Sequence, residues 1–288
     1  TGADPRAVRA RAVVEGVNQP KRKTGDFIRP SDGEPLDPLM AWMLSQAGLE
    51  PSAYRSSAIQ RRVSACLRRL RVNSADAARD LLTRQPEMLP FALNTMLIGV
   101  SEFFRDEAVF DYLKNSVLPD LLETRDGLRV CSFGVSGGQE LYSVAMLLTE
   151  CGALAQSTLQ GIDCRADAIQ RACEGVYGAD DIAGVAPARR ERFFQPSGGR
   201  WAVSPVLKKR IQWIVEDLFT GAADRECDLI LFRNVAIYFN ETHSAEAWRR
   251  LCSQLVPGGI LVTGRAEKPP ASLPLTRLAP SIYRKNLS

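Results

Sequence analysis

The spacing of hydrophobic residues divides the chain into two parts near Leu128. Between residues 37 and 125, apolar residues recur every three or four positions, as they do along one side of an α-helix. The clearest stripe in this part consists of Ile59, Val63, Cys66, Leu67 and Leu70. No strand pattern precedes Leu128, so the sequence predicts an all-helical N-terminal domain.

After Leu128, short apolar runs typical of strands alternate with longer helical runs. This alternation predicts an α/β domain with a doubly wound, Rossmann-like parallel sheet. The successive segments are LRVCSFG, LYSVAMLLTECG, STLQGIDC, ADAIQRACEGVYG, IQWIVEDLF, CDLILFRN, SAEAWRRLCSQLVPGG and ILVTGRAE.

The predicted organisation has three parts. Residues 1–36 are rich in Arg, Lys, Pro, Gly and Asp and predict a flexible arm. A helical domain at 37–125 and the α/β domain at 126–288 follow, separated by the polar stretch ETRDG. The segment PSGGRWAVSPVLKKRI predicts a small β excursion at about 192–210.

Composition narrows the functional classes. Hydrophobic residues make up 45% of the 288 residues, enough for a substantial core. No apolar run approaches the ~18 residues of a membrane span, and the N-terminus lacks the apolar core of a signal peptide. The seven cysteines are odd in number and include no CxxC pair, which argues against a disulfide framework and a structural zinc site and favours a reducing, cytoplasmic setting.

The single histidine limits the possible chemistry. His243 lies in NETHSAEAW, a polar stretch that predicts the exposed start of a helix. A Ser-His-Asp or Cys-His hydrolase would need this residue as its base. The sequence therefore favours chemistry that needs neither an imidazole base nor a metal.

A glycine-rich stretch follows the first predicted strand, in SFGVSGGQELYS at residues 132–143. Gly134, Gly137 and Gly138 allow a sharp turn and a close approach to a ligand. The stretch lacks both the G-x-G-x-x-G fingerprint and a P-loop lysine, so bound phosphate is not favoured. Glu140 suits a cationic or hydroxyl-bearing ligand instead, and an ordinary tight turn is the alternative.

Two more carboxylates follow predicted strands. Asp163 ends LQGID, and Asp217 follows IQWIVE. Ligands of such sheets bind outside the carboxyl ends of the strands, where an acidic residue commonly takes ribose hydroxyls. Each residue taken alone also suits a helix N-cap.

Five blocks in order carry a resemblance to a known family: VSEFFRD, SFGVSGGQELYSVAMLL, LQGIDCRADAIQRACEGVYG, DLILFRNVAIYF and LVPGGILVTGRAE. Together they resemble the CheR-type chemotaxis receptor protein-glutamate O-methyltransferases over residues 37–285. The resemblance implies S-adenosylmethionine as the methyl donor, S-adenosylhomocysteine as the product and a receptor glutamate side chain as the acceptor.

The resemblance also implies roles for individual residues. Arg105 and Tyr238 would form the catalytic wall, with Asp163 on the ribose and with Asp217 and Leu218 flanking the adenine. The other residues implied to contact the donor are Ser101, Gly134, Glu140, Phe232, Arg233 and Asn234, and Arg105 belongs to this set as well.

Alternatives from the residues themselves remain open for this wall. Arg105 also suits a salt bridge with Asp106 or Glu102, and Tyr238 also suits a core position. Phe103 and Phe104 lie beside Arg105 and predict a closed, dry site.

The sequence departs from the family pattern at several positions. Gly99 replaces an asparagine, Ser101 a threonine, Gln139 the first of two glutamates and Asp217 an asparagine. Leu141 and Arg265 also differ. Donor binding is expected to survive. The first hypothesis remains transfer to glutamate side chains of chemoreceptor-like proteins, and the alternatives are a different acceptor or a degenerate member that binds the donor or product as a sensor or scaffold.

One predicted helix carries a strongly basic face, made of Arg61, Arg62, Arg68, Arg69 and Arg71. Such a face is often only solvated, and an RNA methyltransferase is a third hypothesis. The resemblance implies instead that this face meets acidic helices of a chemoreceptor, with no nucleic-acid partner and no membrane insertion. Docking of a receptor C-terminal pentapeptide on the small β excursion is left open.

Overall fold

The computed structural model describes residues 35–97 and 101–287. The predicted arm at 1–36 therefore lies almost entirely outside the described residues, and so does Gly99. No helix within the described part is both long and apolar enough to cross a membrane.

The first part of the described chain is helical. Asp37 begins α1 by accepting a hydrogen bond from the Leu39 amide at 2.9 Å, and Ser74 begins α3 by accepting one from the Ala77 amide at 3.1 Å. The stripe predicted on the second helix packs into a core formed by residues 39–97, with Ile59 and Cys66 fully buried, whereas residues 109–121 pack into the core of the α/β part. The helices are α1 Pro38–Gln46, α2 Ser56–Leu70, α3 Ala75–Arg84, α4 Leu89–Met96, α5 Glu107–Tyr112 and α6 Leu118–Leu122, with a π-helical turn at Leu113–Val117 between the last two.

Seven strands of the second part form one sheet in the order β6-β2-β1-β7-β8-β10-β9. The first five strands of this order run parallel to one another, and β10 runs antiparallel to both of its neighbours, β8 and β9. This topology confirms the predicted doubly wound α/β sheet. Its strands are β1 Arg129–Phe133, β2 Thr158–Asp163, β6 Ile211–Val215, β7 Cys227–Phe232, β8 Leu255–Thr263, β9 Leu275–Ala279 and β10 Ile282–Lys285.

Helices follow the strands of the sheet along the chain. Their bounds are α7 Gln139–Glu150, α8 Ala166–Glu174, α9 Pro187–Phe193, α10 Pro205–Lys208 and α11 Glu241–Gln254. The helical pattern extended the last of these to Gly259, but β8 already begins at Leu255. Pro257 disfavours the helical conformation in the residue before it, which gives a physical reason for the early end.

A separate three-stranded sheet has the order β3-β5-β4. The hairpin of β4 Phe194–Ser197 and β5 Arg200–Val203 turns through Gly198 and Gly199, both at positive φ, and falls within the predicted β excursion. The sequence pattern missed β3, the two-residue strand Val176–Tyr177. The domain limits themselves remain a prediction.

A short antiparallel contact joins the helical part to the α/β part. We call it the seam, and it consists of residues 52–55 and 237–240. The Arg55 amide donates to the Tyr238 carbonyl at 2.8 Å, and the Asn240 amide donates to the Ala53 carbonyl at 2.9 Å. Tyr54 and Phe239 form the β-bridge between these two bonds.

Candidate active site

A cleft opens at the carboxyl ends of β1, β2, β6 and β7 and contains about 1040 Å³ of empty space, including the part open to solvent. All eleven residues singled out from the sequence line it. They are Ser101, Arg105, Gly134, Glu140, Asp163, Asp217, Leu218, Phe232, Arg233, Asn234 and Tyr238. The fold therefore brings the predicted residues together, whereas their individual roles remain predictions.

The glycine loop forms one side of this cleft. Gly134 has a φ of 71°, and a Cβ placed there would lie 2.4 Å from the Val235 side chain. The loop is also tied to the neighbouring strand, because the Ser136 amide donates to Asp163 Oδ2 at 2.9 Å. The stretch is therefore a tight turn that also lines the cleft, and its contact with a ligand remains a prediction.

Glu140 lies in the first turn of α7 and is held by two partners. Ser132 Oγ donates to its Oε1 at 3.0 Å, and Arg233 Nη1 donates to its Oε2 at 3.0 Å. The side chain of Glu140 is 14% exposed and lines the cleft. A negative charge is therefore fixed at this end of the cleft.

Arg233 connects three parts of the site. Its side chain is only 1% exposed, and it pairs with Asp106 at 2.6 Å as well as with Glu140. Its Nη2 also donates to the Arg105 carbonyl at 2.9 Å. Its guanidinium carbon lies 5.6 Å from the centre of the Phe110 ring. The arginine therefore fixes the turn that carries Arg105 against the start of α7.

The expectation that Phe103 and Phe104 close the site is wrong. Phe103 packs edge-to-face on Tyr177 with ring centres 4.9 Å apart, and Phe104 packs in the same way on Phe110 at 5.4 Å. Both rings belong to the core of the α/β part and neither lines the cleft. Phe104 has a φ of 54°, so the chain turns sharply here and the two aromatic rings anchor that turn.

Asp163 ends β2 and is almost fully buried. Oδ1 accepts hydrogen bonds from the backbone amide and Nε of Arg165, at 3.0 and 3.1 Å. Arg165 donates in addition to Oδ1 of Asn94 on α4. The carboxylate is thus linked through one arginine to the helical part, a partner that the sequence pattern did not indicate.

Asp217 follows β6 and begins a turn and not a helix, so the N-cap interpretation is wrong at this position. Its Oδ1 accepts from the amides of Phe219 and Thr220, at 2.8 and 3.3 Å, as a capping residue would. The residue nevertheless lines the cleft, next to Leu218. Asp217 therefore holds the backbone of its own turn at the wall of the cleft, and its role toward a ligand remains a prediction.

Tyr238 ends a turn that a buried carboxylate organises. Glu267 is 5% exposed and accepts from the backbone amides of Asn234 at 2.7 Å, Gly264 at 2.8 Å and Ile237 at 3.3 Å. Burial raises the pKa of Glu267, and the amide hydrogen bonds oppose that shift. Burial also raises the pKa of Tyr238, against the opposing charges of nearby arginines. Its phenol is therefore neutral at pH 7.

Glu267 is the last residue of the block LVPGGILVTGRAE and is not among the site residues predicted from the sequence. The signal was present, since Glu267 follows Gly264 by three residues directly after a core strand. A Cβ at Gly264 would lie 2.5 Å from Glu267 Oε2. A buried acidic residue three positions after such a glycine indicates a carboxylate turned back onto backbone amides.

The structure places His243 in the first turn of α11, where it is half-buried. Its ring packs edge-to-face on Phe219 at 5.4 Å, and it does not line the cleft. Among the described residues, no group of three His, Cys, Asp or Glu side chains could hold a metal ion.

Comparisons with known proteins agree with these features. Residues 99–276 match a family model described as "CheR methyltransferase, SAM binding domain". A chemotaxis protein methyltransferase of Listeria monocytogenes is 29% identical over 222 residues, which are 77% of this chain and 85% of that protein. One of Vibrio parahaemolyticus is 29% identical over 252 residues, covering 83% and 90%, and one of Pseudomonas aeruginosa is 32% identical over 198 residues, covering 64% and 72%.

Proposed function

Since the chain belongs to the family of CheR methyltransferases, we propose that it transfers the methyl group of S-adenosylmethionine to glutamate side chains of chemoreceptor-like proteins and forms methyl esters. The observation that carries this proposal is the cleft itself. It gathers the carboxylates Glu140, Asp163 and Asp217 with Arg105 and Tyr238 at the carboxyl ends of the strands.

The residues present fit the donor chemically. S-adenosylmethionine carries a positive sulfonium and an ammonium group, a ribose diol and an aromatic base. Glu140 offers a fixed negative charge for the ammonium group, and Asp163 lies where a ribose would be held. Leu218 supplies an apolar contact for the base. Asp217 would place a carboxylate near the amino group of the adenine.

The chemistry needs little from the protein apart from position. The donor supplies an electrophilic methyl group on a positively charged sulfur. The acceptor glutamate has an ordinary pKa near ~4.3, so it is already ionised at pH 7 and needs no general base. The task of the site is to hold the acceptor oxygen in line with the methyl carbon and the sulfur.

Two side chains are suited to hold the acceptor. Arg105 would clamp its carboxylate through paired hydrogen bonds. The neutral Tyr238 phenol lies on the same wall and would donate one further hydrogen bond. Because Arg233 holds the Arg105 carbonyl and Glu267 holds the turn of Tyr238, both side chains extend from fixed backbone.

The acceptor surface proposed here is the basic side of α2. Arg61, Arg68, Arg69 and Arg71 are exposed, whereas Arg62 is half-buried and close enough to Tyr238 to influence its pKa. A basic surface that leads toward the catalytic wall would steer an acidic helical segment of a receptor into it. The proposal thus assigns acceptor docking to the helical domain and donor binding mainly to the α/β domain, in a cytoplasmic enzyme.

Charge reversal on this surface tests the proposal. In the double variant Arg61→Glu and Arg68→Glu, we expect the KM for a chemoreceptor cytoplasmic fragment to rise about tenfold, because rim charges mainly control encounter and docking. The kcat at saturating fragment is expected to stay unchanged. The measurement is the initial rate of labelled methyl transfer at low and at high salt.

The matched control is Arg277→Glu, an exposed arginine on β9. It is expected to leave the KM for the fragment as it is. Equal KM values for the double variant and the control would contradict docking on α2. The proposed acceptor would be contradicted if the unaltered protein bound S-adenosylhomocysteine but transferred no methyl group to acidic receptor fragments.

A further inference from the structure

Tyr54 belongs to the helical part and lines the cleft. It lies immediately before α2, within the seam. Its flanking residues are fixed by the backbone bonds of Arg55 to Tyr238 and of Asn240 to Ala53. The Arg55 side chain adds a bond from Nη2 to the Ile237 carbonyl at 2.8 Å. Tyr54 therefore occupies a position set by the α/β part, although it belongs to the helical part.

Tyr54 lines the cleft on the side where Asp163 and Asp217 lie. It packs edge-to-face on Phe239 with ring centres 5.6 Å apart, and Phe239 packs in turn on Phe219 at 5.0 Å. Phe219 is two residues beyond Asp217. The aromatic row thus runs along the end of the cleft that Asp217 and Leu218 line.

The electrostatic surroundings of the phenol place it at the same end. Burial raises the pKa of Tyr54, and the charges of Asp217 and Asp163 act in the same direction. The phenol is therefore a neutral group at pH 7. It is close enough to both Asp163 and Asp217 to be influenced by their charges.

We propose that the ring of Tyr54 packs against the adenosine moiety of the bound donor, so that the helical domain supplies part of the donor site. This inference rests on the proposed function, since it takes the cleft to hold an adenosyl ligand. It adds that donor binding depends on the seam and not on the α/β domain alone. Face contact between a base and an aromatic side chain commonly changes affinity about tenfold or more.

The test is calorimetric titration of two ligands, S-adenosylhomocysteine and 5′-methylthioadenosine, into the full chain. The second ligand contains the adenosine but no amino acid. Tyr54→Leu keeps apolar volume in the seam and is expected to raise the Kd about tenfold for both ligands. Tyr54→Phe keeps the ring and is expected to stay within about threefold of the unaltered protein.

Two control variants separate this role from a general effect on the fold. Trp42→Ala removes a half-buried ring of α1 that packs on Arg79 and does not line the cleft, and it is expected to leave both Kd values unchanged. Glu140→Gln is expected to weaken S-adenosylhomocysteine alone, since 5′-methylthioadenosine has no amino group for it to bind. A ligand-induced shift of the 3-fluorotyrosine resonance of Tyr54, assigned with Tyr54→Phe, gives a second readout in the unaltered fold.

The outcomes are distinguishable. Unchanged Kd values in Tyr54→Leu, or no shift of the Tyr54 resonance with 5′-methylthioadenosine, would overturn the role of Tyr54 and leave the proposed function standing. Failure of the unaltered protein to bind either ligand would overturn both. A tenfold loss in Tyr54→Leu with recovery in Tyr54→Phe would establish it.

Discussion

Replacing Arg233 with alanine is expected to lower the free energy of unfolding by about 3–5 kcal/mol, the usual cost of removing one partner of a buried ion pair. The side chain is 1% exposed and lies between Glu140 and Asp106, at 3.0 and 2.6 Å. Without it, both carboxylates lose the cation that they share, and Asp106 is left with the longer contact to the exposed Arg265, at 3.9 Å. Urea unfolding at neutral pH, followed by circular dichroism, measures the loss.

The structure offers a matched control for this prediction. Arg284 forms a pair of the same length with Asp120 at the surface, where the two side chains are 35% and 50% exposed. Arg284→Ala is expected to cost at most ~1 kcal/mol, because exposed pairs contribute little. Arg233→Lys is expected to recover only part of the stability, since an ammonium group cannot contact both carboxylates and the Arg105 carbonyl in one plane. An equal loss in Arg233→Ala and Arg284→Ala would contradict the assigned role of Arg233.

Replacing Arg105 with alanine is expected to affect catalysis far more than stability. Its carbonyl, which accepts from Arg233, is retained in the variant, so the turn that carries it stays in place. Loss of the guanidinium would remove the clamp proposed for the acceptor carboxylate. We expect kcat to fall about 10²–10³-fold, comparable with the loss of one well-placed hydrogen-bond donor at a reacting group.

The measurement is the initial rate of methyl transfer at saturating donor and receptor fragment, with the free energy of unfolding determined in parallel. Arg105→Lys is expected to restore only a small part of the rate, because paired hydrogen bonds need the planar guanidinium. Arg277→Ala is the surface control. A variant Arg105→Ala that keeps its kcat would remove this residue from the catalytic wall.

The local patterns of the sequence predicted the architecture well, because periodicity reports directly on which face of an element is buried. The alternation after Leu128 corresponds to the parallel sheet, and the stripe around Ile59 and Cys66 corresponds to the core of the helical part. The end of α11 was placed too late. Apolar residues continue across the boundary, and only Pro257 signals the change.

The sequence predicted which residues line the candidate site, but it did not predict the hydrogen bonds and ion pairs that hold them there. Asp163 is tied to Asn94 by Arg165, and Glu267 holds the backbone of Asn234, through contacts between positions far apart in the chain. Such pairings leave no local pattern. Tyr54 was missed for the same reason, since nothing near it in the sequence indicates that its β-bridge partner is Phe239.

The misplaced pair Phe103 and Phe104 shows the opposite error. Adjacency to Arg105 suggested that the rings share its surroundings. The left-handed backbone at Phe104 and at Asp106, with φ of 54° and 61°, reverses the direction of successive side chains. Phe103 and Phe104 therefore lie in the core, whereas their neighbour Arg105 lines the cleft.

The most direct test of the proposed function is the chemical nature of the product. The full chain is incubated with methyl-labelled S-adenosylmethionine and a chemoreceptor cytoplasmic fragment. One portion of the fragment is analysed directly by tandem mass spectrometry, and a second portion is treated with mild alkali. We expect the label to lie on glutamate side chains in the untreated portion and to be released as methanol by alkali. Label that resists alkali, or that lies on residues other than glutamate, would contradict it.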